Sequence, residues 1–344
     1  MSLIEKMSNK KKYGQFMTTN YEYILQGLTI PKNTKKIIEP FAGKKDLLKF
    51  LGNKKYHLEC YDIEPTDNDI KKRDTLKDPP EYNGKFVLTN PPYLARNRSD
   101  EKGMFDLYGV NDLYKCFMKR ICEDCPDGGI IIIPLNFWSS IREGDISLRR
   151  LFLGKFEVER LNIFEERVFD DTTYTICSFL FYKKKTDRRI QIFIFPGKKE
   201  FEYNLDENNN YLIGGNIYNL ENSGKYKVTR LTKENKLDKN ITNILAKCID
   251  DNLNNKIGLS YTNEKYIDET PNLTGRTYAT LIITPKIDED RQRWLVERFN
   301  EYLGEERERY FSLFLANYRE SKDMARKRIS FGLVYRIVLY LLDL

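Results

Sequence analysis

Residues 128–134 read Gly-Gly-Ile-Ile-Ile-Ile-Pro, and this run restricts the fold more sharply than its neighbours do. Four consecutive β-branched residues with no polar position among them leave no face for water. The run therefore suits a central strand covered on both sides, launched by two glycines and ended by a proline. Strands of that kind belong to mostly parallel sheets with helices on both faces. From about residue 36 the chain alternates accordingly, short apolar runs being separated by polar, periodic segments. Residues 35–39 read as a first strand, 46–51 as the start of a helix, 58–63 as a second strand, and 86–89 as a later strand that stops where Pro91 and Pro92 forbid continuation. Leu113, Phe117 and Ile121 recur at helical spacing, residues 157–164 and 175–182 supply two more strands, and 165–174 is the loop between those strands.

By Lys183 the alternation has supplied enough strands for a complete doubly wound domain, and the character of the chain then changes. Residues 200–275 are rich in Asn, Gly, Lys and Tyr, while 290–302 and 305–318 read as charged amphipathic helices. A length of 344 residues accommodates two domains, expected at 1–186 and 187–344. With 40% hydrophobic residues, 23 Tyr and 20 Phe, both should have packed cores and not be disordered. A net charge of +7, from 58 basic and 51 acidic residues, permits a polyanionic partner. The basic run Lys183, Lys184, Arg188 and Arg189 is the first candidate for phosphate contacts.

Composition also excludes some chemistry. His57 is the single histidine, which argues against Ser/His/Asp or Cys/His nucleophilic catalysis, and Cys122-x-x-Cys125 has no second pair with which to complete a zinc site. Six scattered cysteines fit reduced thiols, no apolar stretch approaches the roughly 18–20 residues of a membrane span, and the first residues lack the apolar core of a signal peptide. A cytoplasmic protein without a metal or a membrane association is expected.

The chemistry-bearing residues fall at strand ends, where open parallel sheets bind their ligands. Glu39-Pro40-Phe41-Ala42-Gly43 follows the first strand, and Gly43 lets the backbone turn tightly beneath a ligand. Asp62 ends the second strand, placed to accept from both hydroxyls of a ribose; Ile63 can pack on a purine face, and Asp74 can accept from an exocyclic amine. Asn90-Pro91-Pro92-Tyr93 directly follows an apolar strand. An exocyclic amine on an aromatic base is a poor nucleophile because its lone pair is delocalised into the ring. Two fixed acceptors, the Asn90 side-chain oxygen and the Pro91 carbonyl, can draw that nitrogen out of conjugation; the rigid prolines hold the geometry and Tyr93 offers a ring for stacking.

In order and wording these motifs resemble the class I, S-adenosylmethionine-dependent amino-methyltransferases of DNA, in the gamma arrangement found in type II restriction-modification enzymes. Gly14-Gln15-Phe16-Met17-Thr18-Thr19 is similar to the family's N-terminal motif, which implies that Gln15, Phe16 and Thr18 cup the methionine end of the cofactor. The resemblance further implies that Glu39, with Pro40, Phe41, Ala42 and Gly43, faces the methionine amino group, that Asp62, Ile63 and Asp74 take the adenosine, and that Asn90 to Tyr93 are catalytic while Asn90 also touches the cofactor. Residues 168–172 resemble the later base-stacking motif, giving Phe169 as the second aromatic face and Tyr174 as an alternative. Where the family has a second glycine after Gly43, this chain reads Lys44-Lys45-Asp46. The fold implied is a Rossmann-like, doubly wound, mostly parallel α/β sheet followed by a smaller α+β target-recognition domain, in which Lys225 and Arg230 join the phosphate contacts. The activity implied is N6 methylation of adenine in a short duplex DNA site, by base flipping and direct displacement, with no metal. A monomer is expected, and a separate cognate restriction endonuclease is the partner such enzymes have. The same tetrapeptide serves RNA adenines and protein glutamines, cytosine-N4 enzymes more often begin it with serine, and a nucleic-acid-binding module that has lost catalysis is the remaining alternative.

Overall fold

The computed structural model describes residue 14 and residues 16–169, 172, 174–183, 188–252, 254–269, 277–320 and 325–344. The chain forms two compact units, Met1–Glu207 and Asn208–Leu344.

In the first unit the isoleucine run is β5 (Gly128–Pro134), buried along its whole length. Each of Ile130 to Ile133 is fully shielded, a burial that contributes about 1.5–3 kcal/mol per side chain. The two glycines that launch it are sterically required. A Cβ on Gly128 would lie 2.6 Å from the Phe181 carbonyl oxygen, and one on Gly129 2.6 Å from that of Val87. Around β5 lie β1 (Lys36–Glu39), β2 (His57–Asp62), β3 (Lys71–Lys72), β4 (Phe86–Thr89), β6 (Phe156–Phe164), β7 (Ile176–Lys183), β8 (Arg189–Phe195) and β9 (Lys199–Asn204). Their order is β3-β2-β1-β4-β5-β7-β6-β8-β9. Pairings from β3 through β5 are all parallel. β7 runs against both β5 and β6. This is the expected mostly parallel α/β sheet, with strand order reversing between β1 and β4.

The short helix α1 (Tyr21–Ile24) precedes the sheet, α2 (Gly103–Tyr108) and α3 (Leu113–Asp124) connect β4 to β5, and α4 (Asn136–Ser139) and α5 (Glu143–Lys155) lead to β6. The helix expected at 46–51 is only a 3₁₀ turn, Leu47–Leu51, ended by Gly52 at φ 57°. With β2 starting at His57, the chain has no room for a longer helix there. The boundary expected at 186/187 falls between β7 and β8 of one continuous sheet, because β8 pairs parallel with β6 and carries β9 beyond it. The compact units accordingly part between Glu207 and Asn208.

The second unit is built on an antiparallel sheet of β10 (Lys227–Arg230), β11 (Ile241–Lys247), β12 (Gly258–Tyr261) and β13 (Tyr278–Thr284), in the order β10-β13-β11-β12. The helices α6 (Glu289–Arg309) and α7 (Phe331–Leu342) and the hairpin of β14 (Ala316–Glu320) and β15 (Ala325–Arg328) complete it. Its core joins Ile244, Leu281 and Ile283 from the sheet to Leu295, Phe299 and Leu303 from α6 and Ile337 and Leu341 from α7. The two helices expected at 290–302 and 305–318 are one helix followed by a strand. The apolar stripe Leu295, Phe299, Leu303 runs into the buried Glu306 without a break, and the helix ends only where Phe311 and Ser312 take positive φ. Among the described residues no helix is long and apolar enough to cross a membrane.

Candidate active site

Because β2, β1 and β4 are neighbours, their carboxyl ends set Asp62, Glu39 and Asn90 around one crevice at the reversal of strand order, where doubly wound sheets hold ligands. A cavity of about 460 Å³ opens there, a volume in the range that takes nucleoside-sized ligands. It is lined by Phe16, Phe41, Gly43, Asp62, Ile63, Asp74 and Asn90 among the residues expected to bind cofactor, and by Pro92 of the tetrapeptide. Thr18, Glu39 and Ala42 are buried behind this lining. Pro40 is buried as well, its carbonyl accepting from the Thr75 hydroxyl at 3.0 Å. Gln15 lies outside the described residues.

The loop after β1 is pinned at several points. The Ala42 N–H donates to the Tyr61 carbonyl at 2.8 Å, and the Gly43 N–H donates to Asp62 Oδ2 at 2.8 Å. Asp62 Oδ1 accepts from the Glu64 N–H at 2.9 Å. Each oxygen of Asp62 thus keeps a lone pair for a further donor, as a ribose diol requires. Gly43 adopts φ 52°, and Lys45, where a second glycine was expected, adopts φ 60°. The lysine therefore takes the left-handed conformation that the glycine would have taken. Its N–H closes onto the Ala42 carbonyl at 2.7 Å, and its ammonium pairs with Asp67 at 2.6 Å.

Glu39 Oε2 is buried and makes no hydrogen bond in the structure. Burial, followed by the proximity of Asp62 and Asp46, holds the Glu39 carboxyl well above the usual carboxylate range. A buried acid with an unanswered oxygen fits an ammonium group. With Asp62 for a diol and Asp74 and Ile63 for a purine, the donor set fits an adenosyl amino acid.

At the tetrapeptide, the Asn90 side-chain N–H₂ donates to the Phe16 carbonyl and to the Thr18 hydroxyl, both at 3.0 Å. These bonds fix which end of the amide is oxygen, and that oxygen accepts from the Tyr93 hydroxyl. The Ile132 carbonyl also lies 2.8 Å from the Tyr93 hydroxyl, so the single phenolic hydrogen is shared between it and the Asn90 oxygen, and the Tyr93 N–H donates to the Gly14 carbonyl at 2.9 Å. Burial pushes the Tyr93 phenol well above its ordinary value, so it remains a donor.

The aromatic rings are arranged differently from the expectation. Tyr93 is only 3% exposed. Phe16 stacks on it at 5.1 Å between centroids, and Phe169 stacks with Phe16 at 6.0 Å. The Phe16 ring therefore stands between Tyr93 and Phe169, where a base was expected. Tyr174 and Tyr114 meet Tyr93 edge-on, at 6.3 and 6.1 Å.

Several residues behind the site escaped the sequence. Asp112, at the start of α3, accepts from the Leu94 N–H at 3.1 Å. Lys115 and Asp145 form a buried ion pair, and Asp145 also accepts from the Ser140 hydroxyl at 2.6 Å. Arg149 is 0% exposed and donates to the Phe137 carbonyl at 2.8 Å and to that of Ser140 at 3.2 Å, closing the turn after β5. Burial pulls its guanidinium down to about 10. Arg73, Leu76, Arg98, Met104 and Phe105 also line the cavity. The one signal that could have found Asp112 is its place directly before an apolar helical run, which is where a short acid anchors a helix start.

The basic residues expected to meet phosphates divide between the units. Lys183 is exposed at the end of β7, Arg189 is exposed at the start of β8, and Arg188 is half-buried beside it. Lys184 lies outside the described residues. In the second unit Lys225 is exposed with its ammonium 5.1 Å from the Tyr226 ring centroid. Arg230 is paired with Asp268 at 3.3 Å and lies over Phe331, so its charge is largely answered within the protein.

Residues 5–169 match the model of the family described as Eco57I restriction-modification methylase. No curated protein's sequence matches the chain. Among solved structures, the type I restriction-modification system methyltransferase subunit from Streptococcus thermophilus is 14% identical, with a TM-score of 0.40, over 53% of this chain and 48% of that one. The type IIG restriction endonuclease BpuSI is 15% identical, with a TM-score of 0.41, over 65% of this chain and 36% of that one. The chain thus spans about half of the first of these and about a third of the second.

Proposed function

We propose that the chain is a DNA methyltransferase that uses S-adenosylmethionine to methylate N6 of adenine in a short duplex site. The observation that carries this reading is the Asn90 carboxamide, held by three hydrogen bonds at the rim of a nucleoside-sized cavity at the strand-order reversal. The restriction-modification methylase match over residues 5–169 supports it independently.

S-adenosylmethionine, when bound, supplies an electrophilic methyl group. Asp62, Ile63 and Asp74 would hold its adenosine and Glu39 its ammonium. Asn90 Oδ1 already accepts one hydrogen bond and has a second lone pair. With that lone pair it takes a hydrogen of the target amine, while the Pro91 carbonyl takes the other, so the nitrogen lone pair turns out of the ring and toward the methyl. Tyr93 braces the oxygen from behind. Extruding the base costs a few kcal/mol, and stacking against the rings of Tyr93 and Phe169 offsets part of that. Entry between Tyr93 and Phe169 requires the Phe16 ring to swing aside. The units divide the work: the first unit performs chemistry, while the second unit, with Lys225, reads the site together with Lys183, Lys184, Arg188 and Arg189.

Labelled S-adenosylmethionine, the protein and unmethylated genomic DNA, followed by digestion to nucleosides, should give N6-methyldeoxyadenosine. Label in protein, RNA or N4-methylcytosine alone would assign the chemistry to another amine. Asn90→Ala should abolish turnover while leaving cofactor affinity nearly intact, and surviving activity would refute the acceptor role.

A further inference from the structure

Behind the tetrapeptide, two backbone hydrogen bonds and one carboxylate tie the turn to the helix that follows. The Leu113 N–H donates to the Leu94 carbonyl at 3.2 Å and the Arg96 N–H donates to the Asn111 carbonyl at 3.0 Å, and this pair of bonds makes Ala95 and Asp112 an antiparallel bridge. Within this lacing, Asp112 Oδ1 receives the Leu94 N–H. Leu94 adjoins Tyr93, whose hydroxyl holds the Asn90 oxygen. Tyr114, two residues after Asp112, packs its ring edge on Tyr93. A grip on Leu94 is therefore a grip on the acceptor two hydrogen bonds away.

We propose that Asp112 is a positioning residue for the methyl transfer: its carboxylate clamps the catalytic turn to the start of α3, and turnover requires that carboxylate to be ionised. The inference rests on the reading of Asn90 to Tyr93 as the reacting turn. Asp112 is 5% exposed, so water does little to solvate its charge. The groups facing it are Lys115, Tyr114 and Cys116 from α3, Tyr93 from the turn, and Tyr174 from the loop before β7. Lys115 is the cation of this set, and its ammonium is engaged by Asp145 and, at 2.8 Å, by Asn111 Oδ1. Burial pushes the Asp112 carboxyl up to about 7, against the weaker opposing pull of Lys115 and the Leu94 N–H. An N–H bond to a carboxylate is about twice as strong as one to a neutral acceptor. Protonation therefore loosens the clamp.

The signs for stability and activity are opposite. A carboxyl raised from 3.8 to about 7 in the folded state favours folding most below the unfolded value, and that contribution is lost as pH climbs toward 7. Activity, by contrast, should rise through the same window as the carboxylate forms. A role confined to structure would move both together.

The test compares wild type, Asp112→Asn and Asp112→Glu in methylation of genomic DNA from pH 5.5 to 8.5, with cofactor affinity and denaturant midpoints measured on the same samples. Asparagine keeps an oxygen for the Leu94 N–H and removes the charge. Wild-type kcat should rise about tenfold per pH unit below 7 and then level, as one ionisation requires. Asp112→Asn should stay at the low rate across the range, bind cofactor within about twofold of wild type, and be the more stable protein at pH 8. Asp112→Glu should recover a rising limb. A wild-type rate or an unchanged limb in Asp112→Asn overturns the proposal; if that variant does not fold, a flat profile in Asp112→Glu does so instead. Asn90→Ala run in parallel separates the two ideas, since normal turnover there would remove the site reading itself.

Discussion

Lys45 takes a left-handed backbone conformation that costs an L residue about 1–2 kcal/mol relative to the right-handed region. The loop retains its shape because the Lys45 N–H and ammonium are both engaged, the first by Ala42 and the second by Asp67 and Asp69. Alanine at this position would keep the strain and lose the ion pairs, whereas glycine would lose both. Lys45→Gly should accordingly be more stable than Lys45→Ala by about 1 kcal/mol in denaturant unfolding, and equal midpoints would contradict the strain argument. Tyr93 offers a second test at this scale. Tyr93→Phe keeps the ring and removes the brace on Asn90, so kcat should fall about tenfold, the effect of one hydrogen bond of roughly 1.4 kcal/mol, with unchanged cofactor affinity. The acids of the crevice and the Asn90 turn were legible in sequence because each sits at a strand end, where chemistry and backbone punctuation coincide. For Phe16 the sequence raises only the expectation of a cofactor contact. Its place between Tyr93 and Phe169 depends on how residues far apart in the chain pack.

Elements buried on both faces were the easiest to read, and β5 and β4 lie where their apolar runs placed them. The second unit was harder. Its 21-residue helix α6 carries many charges and was divided at Glu305, although the stripe from Leu295 to Leu303 continues into Glu306. The apolar helix α7 was not anticipated at all, since an all-round apolar run resembles a strand until its partners are known. α6 has a second task beyond the core. Asn300 accepts from the Leu259 N–H at 2.9 Å and donates to the Leu259 carbonyl at 2.8 Å, covering the free edge of β12. Asn300→Ala should cost about 1–2 kcal/mol in thermal unfolding and promote association through the bared edge, visible as concentration-dependent light scattering. An unchanged melting point would show that the edge needs no cover.

At the scale of the whole molecule, the two units are compact bodies, each with apolar residues buried in its interior. Calorimetry should therefore yield a van't Hoff enthalpy smaller than the calorimetric one, the mark of more than one unfolding step. S-adenosylmethionine at about 100 times its dissociation constant should raise only the step belonging to the first unit, by about 2.7 kcal/mol. A single transition that moves as a whole with the ligand would mean that the units unfold together.

The reversed strand β7 has a consequence for the order in which the sheet is made. β6 borders β7 and β8 and touches no earlier strand. As the polypeptide leaves the ribosome, the first five strands can zip together in turn, but β6 emerges with no edge to join. It must wait unpaired, with Leu161, Ile163 and Phe164 uncovered, until β7 appears and supplies an edge for it. A pause in translation between Phe164 and Ile176 would therefore hold the nascent protein at its most aggregation-prone point, and synonymous codons there should influence its soluble yield.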